Sequence, residues 1–352
     1  MSGEQDAILA LTKIIRKSRV HFYKPIQIAE ILFHQRMQES MDLTELEPYR
    51  NKSKQWRDAV TQRLIGRVST SSQKYQDNIF EENAMPPKLL AKVGELNKKT
   101  KGAVEAFIYL AFRERLSAVH DVKEYIQNAD IKTFNLQKLN SMFKEMPGLR
   151  RSVDKMYEVV VYALFITLVR TLKAQVTLEL ENTDKDILND FESFVKLVLG
   201  VDAKNTKVTV PAALYRVGVA NAADRGIDMW ANFGPAVQVK HLTLTPELVE
   251  DIGSDIKADS IIIVCLDAEK EQIKSLLKQL GWQERIRGII TLDDMTKWYS
   301  LCLSSKYKKT LGKTIIADLL REFDAEFPSS EELEPFLEER GYHKMKLPAA
   351  LK

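Results

Sequence analysis

The chain has 352 residues, a mass of 40.3 kDa and a mean hydropathy of −0.25, with 45% hydrophobic and 29% charged residues. This is the composition of an ordinary globular protein, so disordered, collagen-like and low-complexity classes are excluded. The longest uncharged apolar run, 159–169, is only about half as long as a membrane-spanning helix requires. The length favours two domains or one large one. The acidic N-terminus does not resemble a secretory signal, so we expect an intracellular protein.

Cysteine and histidine usage argues against a zinc protein. Cys265 and Cys302 stand in apolar stretches without a further ligand at metal-binding spacing, and the five histidines show no HExxH pattern. The charge is uneven along the chain, because residues 1–155 hold 27 of the 52 Lys and Arg but 19 of the 49 Asp and Glu. A basic N-terminal half suits a polyanion such as nucleic acid, although a solvated basic surface explains the same excess.

The first 148 residues are predicted to be mainly helical. Apolar periodicity, with Ser53 as an N-cap and Gly66 as a helix end, predicts helices over 8–15, 53–66, 103–127 and 134–145. Residues 67–87 lack a period and close with two prolines, which predicts a long loop. The Pro147-Gly148 break marks the expected domain boundary.

The polar loop at 67–87 is the candidate for DNA recognition within this basic region. Its hydroxyl, amide and amine side chains are the types that contact base edges and phosphates: Ser71, Ser72, Gln73, Lys74, Gln76 and Asn78. Cations that precede it are candidates for gripping the DNA backbone: Arg50, Lys52, Lys54 and Arg57. A solvated loop beside a solvated helix is the competing explanation.

Residues 149–327 are predicted to form an α/β unit whose mixed central sheet is flanked by helices. Ser152 opens the most apolar helix of the chain, which is expected to be buried on all sides. Strands are predicted over 207–210, 214–219, 236–242, 260–266 and 286–292, and helices over 246–256, 269–280 and after 293. Residues 328–352 form a polar tail, and the sequence gives it no fold role.

One hairpin is predicted to bring a carboxylate, an amide and an ammonium together. Asp228 begins a short strand, 232–235 can form the turn, and the next strand alternates apolar and polar residues. Period two places Gln238 and Lys240 on one strand face, beside Asp228. Magnesium favours oxygen ligands and keeps several waters, one of which can attack a phosphodiester. Asp228 and Gln238 are therefore predicted metal ligands, and Lys240 is predicted to orient or help deprotonate the water.

This pattern resembles the PD-(D/E)xK nuclease core, with Gln238 in place of the second acid. Glu158 is the first candidate for a compensating catalytic and metal-binding carboxylate, because it lies on a buried helical stripe, where an acid is costly unless it meets a cation. A first-turn acid favoured by the helix dipole is the alternative explanation. Asp224, in an Asp-Arg-Gly turn, is the second candidate. An exposed strand with solvent-facing Gln238 and Lys240 is the alternative for the whole pattern.

Two longer stretches of the sequence extend the resemblance to one family. Residues 214–245, LYRVGVANAADRGIDMWANFGPAVQVKHLTLT, and 11–31, LTKIIRKSRVHFYKPIQIAEI, are similar to segments of the HaeII family of type II restriction endonucleases, as is the overall length. The resemblance implies a Mg²⁺-dependent homodimer that cuts double-stranded DNA within a palindromic RGCGCY site. It also implies a bacterial cytoplasmic enzyme whose functional partner is a cognate DNA methyltransferase.

Two other functions fit the same residues. A structure-selective repair or recombination nuclease would use the same core on branched or damaged DNA. A non-catalytic DNA-binding protein with a nuclease-like fold would explain the neutral Gln238. Only a restriction endonuclease is expected to give discrete bands from unmethylated genomic DNA and magnesium.

Overall fold

A computed structural model describes residues 3–38, 41–217 and 227–351, and its first half is helical. The helices are α1 (Gly3–Lys17), α2 (Tyr23–Met37), α3 (Glu47–Ile65), α4 (Gln73–Asp77), α5 (Pro87–Lys99), α6 (Ala103–Asn128), α7 (Leu136–Glu145) and α8 (Val153–Thr171). The end of α3 illustrates the local cause: Gly66 has a φ of 66°, in the left-handed region that glycine adopts without strain. No helix in the described ranges is long and apolar enough to cross a bilayer.

The second half contains two sheets within the described residues. A two-stranded antiparallel ribbon pairs β1 (Gln175–Glu179) with β2 (Lys207–Pro211). The central sheet consists of β3 (Leu214–Arg216), β4 (Met229–Ala231), β5 (Ala236–Leu244), β6 (Ile261–Ala268) and β7 (Ile286–Ile290), in that spatial order. The pairs β3–β4 and β4–β5 are antiparallel, whereas β5–β6 and β6–β7 are parallel. The remaining helices are α9 (Lys185–Asp190), α10 (Glu192–Phe194), α11 (Pro246–Asp255), α12 (Lys270–Leu280), α13 (Leu292–Cys302), α14 (Lys313–Glu326) and α15 (Leu333–Glu339).

Helices cover both faces of the central sheet. Val237 and Val239 of β5 join a large core with α8, α13 and α14, whereas Ala236 and Leu244 pack with α11 and α12. The period of two along β5 produces this division, since successive side chains point to opposite faces. The predicted fold class, α/β with a mixed central sheet flanked by helices after a helical N-terminal region, is confirmed.

Helix α6 belongs to both halves of the molecule. Its first half packs in the N-terminal helical core, and Val119, Val122 and Ile126 further along pack in the core beneath the sheet. Helix α7 joins that second core as well. The regions predicted as 1–148 and 149–327 are therefore joined by extensive packing across residue 148.

The C-terminal segment packs into the N-terminal helical core. Its buried apolar residues there are Leu333, Phe336, Leu337, Tyr342 and Leu351. The Tyr342 hydroxyl donates to the buried carboxylate of Glu105, and Arg340 donates to Glu30 at 3.3 Å. The polar tail predicted at 328–352 thus contributes both apolar and polar contacts to that core.

Two sequence-based predictions for the helical half were wrong in part. Helix α3 begins at Glu47 instead of Ser53, because Pro48 suits a first helical turn. Ser53 lies in the middle of the helix, and its side chain is buried. The segment 67–87 is not wholly a loop, since Ser72 caps the short helix α4 within it. A single-turn helix carries too little apolar periodicity to be recognised in a polar sequence.

Candidate active site

The hairpin β4–β5 fixes Asp228 beside Gln238. The Asp228 N–H donates to the Val237 carbonyl at 3.1 Å, and the connecting turn contains Gly234 at a φ of 114°, which favours glycine. Gln238 Nε2 donates to Asp228 Oδ2 at 2.8 Å, and the Val239 N–H donates to the same oxygen at 2.7 Å. The structure therefore brings together the first two residues of the predicted site.

Gln238 is buried, and one end of its amide lacks a partner. Its Nε2 bonds to Asp228, whereas its buried Oε1 has no hydrogen-bond partner within the described ranges. Leaving such an acceptor unsatisfied costs about 1 to 3 kcal/mol. An amide oxygen is also a ligand type that hard cations accept. Among the described residues, Gln238 Oε1 is thus a buried acceptor without a partner, and its oxygen is available to a cation.

Glu158 lies within electrostatic range of Asp228. It stands near the start of α8, its side chain is buried, and Lys155 Nζ donates to its two carboxylate oxygens at 2.8 and 2.7 Å. Burial raises the pKa of Glu158 to about 7; Lys155 lowers the pKa, while the negative charges of Asp228 and Glu326 raise it. The alternative acid, Asp224, lies outside the described residues.

Lys240 shares the sheet face of Gln238. The two residues align with Cys265 and Ile263 of β6, and both of these pack in the core between the sheet and helices α11 and α12. Lys240 is half-buried, and its ammonium has no hydrogen bond or ion pair with the described part of the chain. The β5–β6 register shifts directly after Lys240, and such irregularities often lie beside active sites, where they redirect a side chain.

Asp228 and Gln238 offer neighbouring oxygens of the kind that a hard cation accepts, and Glu158 is a third candidate, within electrostatic range of Asp228. The described ranges contain no group of three or more His, Cys, Asp or Glu side chains that could hold a metal, so a site here would combine carboxylates with the amide oxygen. Such a set of ligands fits Mg²⁺, which usually binds through one or two carboxylates and keeps several waters. A nearby cation would also relieve the unpartnered Gln238 Oε1 and favour ionised Glu158.

Some of the predicted DNA-contact residues lie exposed on α3 and α4. Gln73 and Lys74 form the first turn of α4, and both are exposed. The Ser72 hydroxyl caps that helix by accepting from the Tyr75 N–H at 3.4 Å. Lys52 is exposed on α3, the helix that precedes α4 in the chain. These residues are accessible to a macromolecular partner.

Three of the neighbouring cations are held by the protein itself. Arg50 and Lys54 both form ion pairs with Asp77 at the end of α4, at 2.9 and 2.5 Å. Arg57 is 2% exposed and donates to Gln76 at 2.8 Å, so its guanidinium holds the α4 segment in place. The predicted role of Arg57 in gripping DNA stays a prediction, and the burial of its side chain disfavours it.

A basic groove lies between the start of α2, the end of α1 and the α4 segment. Its volume is about 610 Å³, and Ser71 and Asn78 are among its lining residues. Five cationic side chains line it, against the single acid Glu81: Lys13, Lys17, Arg19, Lys24 and Arg57. Lys24 Nζ donates to Asn78 Oδ1 at 2.6 Å. We call this the N-terminal groove; its excess of positive charge suits a polyanion.

Comparison with known proteins identifies the family. Residues 7–342 match the HaeII restriction endonuclease family. The chain is 46% identical over 346 residues to the type II restriction enzyme HaeII of Haemophilus aegyptius, covering 98% of each chain. It belongs to the HaeII restriction endonuclease family. The type II restriction enzyme NgoBI of Neisseria gonorrhoeae is 47% identical over 341 residues, covering 96% of this chain and 97% of that protein. No solved structure gives a significant match.

This family member has two further charged pairs near the site that sequence reasoning did not find. Lys155 binds Glu158 from one helical turn earlier, a spacing that the sequence could have revealed. Arg216 and Glu326 form a buried ion pair at 2.7 Å, and Glu326 affects Glu158 electrostatically. Arg67 donates to the main-chain carbonyl of Glu326 at 3.3 Å, which connects the start of the 67–87 segment to this region. The contacts of Glu326 span too much sequence to follow from any local pattern.

Proposed function

We propose that this chain hydrolyses phosphodiester bonds of double-stranded DNA, with Mg²⁺ as cofactor, within a palindromic RGCGCY site. The class of enzyme follows from the family, since a member of the HaeII restriction endonuclease family is a type II site-specific deoxyribonuclease. The observation that supports the metal chemistry is the bonded pair Asp228 and Gln238, in which the buried Gln238 Oε1 has no hydrogen-bond partner among the residues that the structure describes.

Each residue of the cluster has a distinct role in this proposal. The carboxylates of Asp228 and Glu158 and the Oε1 of Gln238 would hold the cation. The chemistry that Mg²⁺ would supply, when held by these residues, is positive charge to polarise a water and the scissile phosphate. The Lys240 ammonium orients the attacking water and offsets the charge that develops at phosphorus. Lys155 favours the ionised form of Glu158, which the burial of that carboxylate otherwise opposes.

DNA binding is proposed to use the N-terminal groove and the exposed turn of α4. The groove combines cations with hydroxyl and amide groups, which are the donors that contact phosphates and base edges. Arg67 links this region to the α14 residues next to the site. A duplex bound along the groove would therefore be held by the same structural unit that carries Glu158 and Glu326.

Two partners complete the proposal. A palindromic site presents the same half-site twice, so two copies of the chain related by a two-fold axis match it with one surface. A cognate methyltransferase that modifies the same sequence would protect the host DNA. It is a functional partner and need not contact this chain.

The test compares the cleavage of DNA substrates that differ from one another only in the recognition site. Unmethylated linear DNA with one RGCGCY site is incubated with protein and Mg²⁺, beside a substrate in which one central base pair is changed and another in which the site is methylated. We expect two discrete fragments from the first substrate alone. A branched junction of unrelated sequence serves as the fourth substrate, and its cleavage without cleavage of the intact site would indicate a structure-selective nuclease.

A catalytically inactive variant shows whether a contaminating nuclease causes the cleavage. Lys240→Ala protein, purified in the same way, should give no fragments while still binding the duplex in Ca²⁺. Equal cutting by the wild-type protein and this variant would contradict the proposed site. Binding without cutting by the wild-type protein in Mg²⁺ or Mn²⁺ would favour a non-catalytic DNA-binding role.

A further inference from the structure

The segment 172–211 forms a small lobe with an unusually apolar surface. It comprises the β1–β2 ribbon and the helical turns between its strands, and we call it the ribbon lobe. Its own core consists of three buried residues, Leu188, Val195 and Val201. Eight of the nineteen large hydrophobic residues that are exposed in the described chain lie in this lobe, which is about a ninth of the sequence. The lobe therefore exposes far more apolar surface than it buries.

Five of these exposed residues lie close together in the segment between the two strands. Ile187, Phe191, Phe194 and Val198 stand at positions i, i+4, i+7 and i+11 along α9, α10 and the turn that follows. Their exposed fractions are 49%, 60%, 55% and 63%. Leu197 beside them is 84% exposed, the highest value among the exposed large hydrophobics. These five exposed residues fall within the short segment 187–198, so they are concentrated and not scattered singly over the surface; we call them the apolar stripe.

The charge of the lobe argues against DNA as the molecule that binds there. Residues 172–211 carry five lysines, no arginine and seven Asp or Glu, whereas the N-terminal groove has five cations and one acid. A duplex requires positive charge to neutralise its phosphates. An apolar stripe surrounded by mixed, slightly acidic charge has the composition of a protein interface.

We infer that the ribbon lobe is the surface through which two copies of this chain associate. In a two-fold dimer the same patch meets itself, so one apolar stripe is sufficient on each chain. The five stripe residues are about half to four-fifths exposed and together offer on the order of 500 to 600 Å² of apolar surface per chain. This lies at the upper end of what most monomers expose in one patch and is the larger part of the roughly 800 Å² per partner of a standard interface.

The inference rests on the proposed function in one respect. The palindromic target is the reason for choosing a second copy over another protein as the occupant. The apolar stripe, its area and its charge stand independently of that target.

Sedimentation of the full-length protein over a dilution series, with and without cognate DNA, tests the inference. The wild-type protein should sediment with about twice the chain mass of 40.3 kDa. Leu197→Glu should weaken self-association by about 100-fold or more, because it places a charge in the centre of the interface. Phe191→Ser combined with Phe194→Ser should do the same. Leu301→Glu, at a 56% exposed position on α13, is the matched control and should leave the mass unchanged.

The outcomes separate the inference from the proposed function. A wild-type protein that remains a single chain on and off DNA, or lobe variants that retain the wild-type mass, would overturn the inference. Lobe variants that lose DNA binding while remaining two-chain would also overturn it, in favour of a DNA-contact role. Leu197 contacts little of its own chain, so unchanged thermal unfolding of Leu197→Glu excludes misfolding. If the wild-type protein fails to cut RGCGCY yet dimerises through the lobe, the proposed specificity fails and the inference stands.

Discussion

Asp228 and Gln238 position each other. Gln238 Nε2 donates to Asp228 Oδ2 at 2.8 Å, and the main chain of Val239 donates to that same oxygen at 2.7 Å. The amide of Gln238 is thereby oriented, with its Oε1 buried and unpartnered in the described structure. A glutamate in place of Gln238 would put a second negative charge beside Asp228, and the two carboxylates would repel each other. The neutral amide of Gln238 places an oxygen beside Asp228 without this repulsion.

Substitution of Gln238 should separate its ligand role from its packing role. Gln238→Leu should lose most activity, because the strand position stays filled but the oxygen is gone. Gln238→Glu should keep some activity with a changed Mg²⁺ or Mn²⁺ optimum. Because its added carboxylate faces Asp228, this variant should also gain more thermal stability from added Mg²⁺ than the wild-type protein does. Normal cutting by Gln238→Leu would show that the side chain is not a ligand.

Asp228 and Lys240 should differ in their effect on stability and agree in their effect on catalysis. Asp228→Ala and Lys240→Ala should each reduce the cleavage rate by about 100-fold or more. Lys240→Ala should leave unfolding unchanged, since its ammonium bonds to no described residue. Asp228→Ala should cost about 1 to 3 kcal/mol because the buried Val239 N–H loses its acceptor. Asp228→Asn is the control, because its amide oxygen can still accept from the Val239 N–H and should preserve stability. Denaturant unfolding measures the effect on stability, and single-turnover cleavage measures the effect on catalysis.

Glu158 should give the protein a distinctive dependence on pH. Burial raises its pKa from an ordinary value of 4.5 to about 7, so between these values the folded state binds more protons than the unfolded state. The stability that protonation of Glu158 contributes is present below pH 4.5 and is lost as the pH rises to about 7. Metal-free wild-type protein should therefore lose thermal stability relative to Glu158→Gln across this window.

The same carboxylate should govern the metal requirement. Raising the pH through about 7 ionises Glu158, so the Mg²⁺ concentration needed for half-maximal cleavage should fall. Glu158→Gln should cut poorly and should lack this dependence. Normal cleavage by Glu158→Gln would place the additional acid elsewhere, with Asp224 as the next candidate.

The N-terminal groove should account for part of the salt dependence of DNA binding. A duplex binder that neutralises about 6 to 10 phosphates loses roughly 10³ to 10⁵ in affinity between 50 and 200 mM salt. Lys17→Ala and Arg19→Ala should each weaken binding in Ca²⁺ and reduce the slope of log K against log salt by about 1. Lys278→Ala, an exposed cation on α12, is the control. Unchanged slopes in the groove variants would exclude this groove as the DNA clamp.

The C-terminal segment should be essential for stability. Leu337 is fully buried in the N-terminal helical core, so Leu337→Ala should lower the free energy of unfolding by about 2 to 5 kcal/mol. Leu301→Ala, at an exposed position, should change it by less than about 0.5 kcal/mol. Denaturant titration measures both. An equally small effect at Leu337 would show that the segment is only loosely attached.

Local sequence patterns determined the elements and the chemical character of the candidate site. Period two along β5 predicted that Gln238 and Lys240 share a face, and the turn residues before it predicted the hairpin that brings Asp228 close. These features follow from neighbours within about a dozen residues, whose geometry is fixed by the strand itself. The longer stretches 11–31 and 214–245 indicated the HaeII restriction endonuclease family, and the comparisons confirm this membership.

Only the tertiary structure decided which distant residues meet. Glu158 and Glu326 come within electrostatic range of each other because α8 and α14 pack together in the core beneath the sheet, and no local period encodes that packing. Arg57 belongs to a polar helix by sequence, yet the packing of α2 against α3 buries it. The polar tail likewise gains its role only when α15 meets the N-terminal helices. Periodicity specifies which face of an element is apolar, whereas contacts between elements depend on how all the faces are buried together.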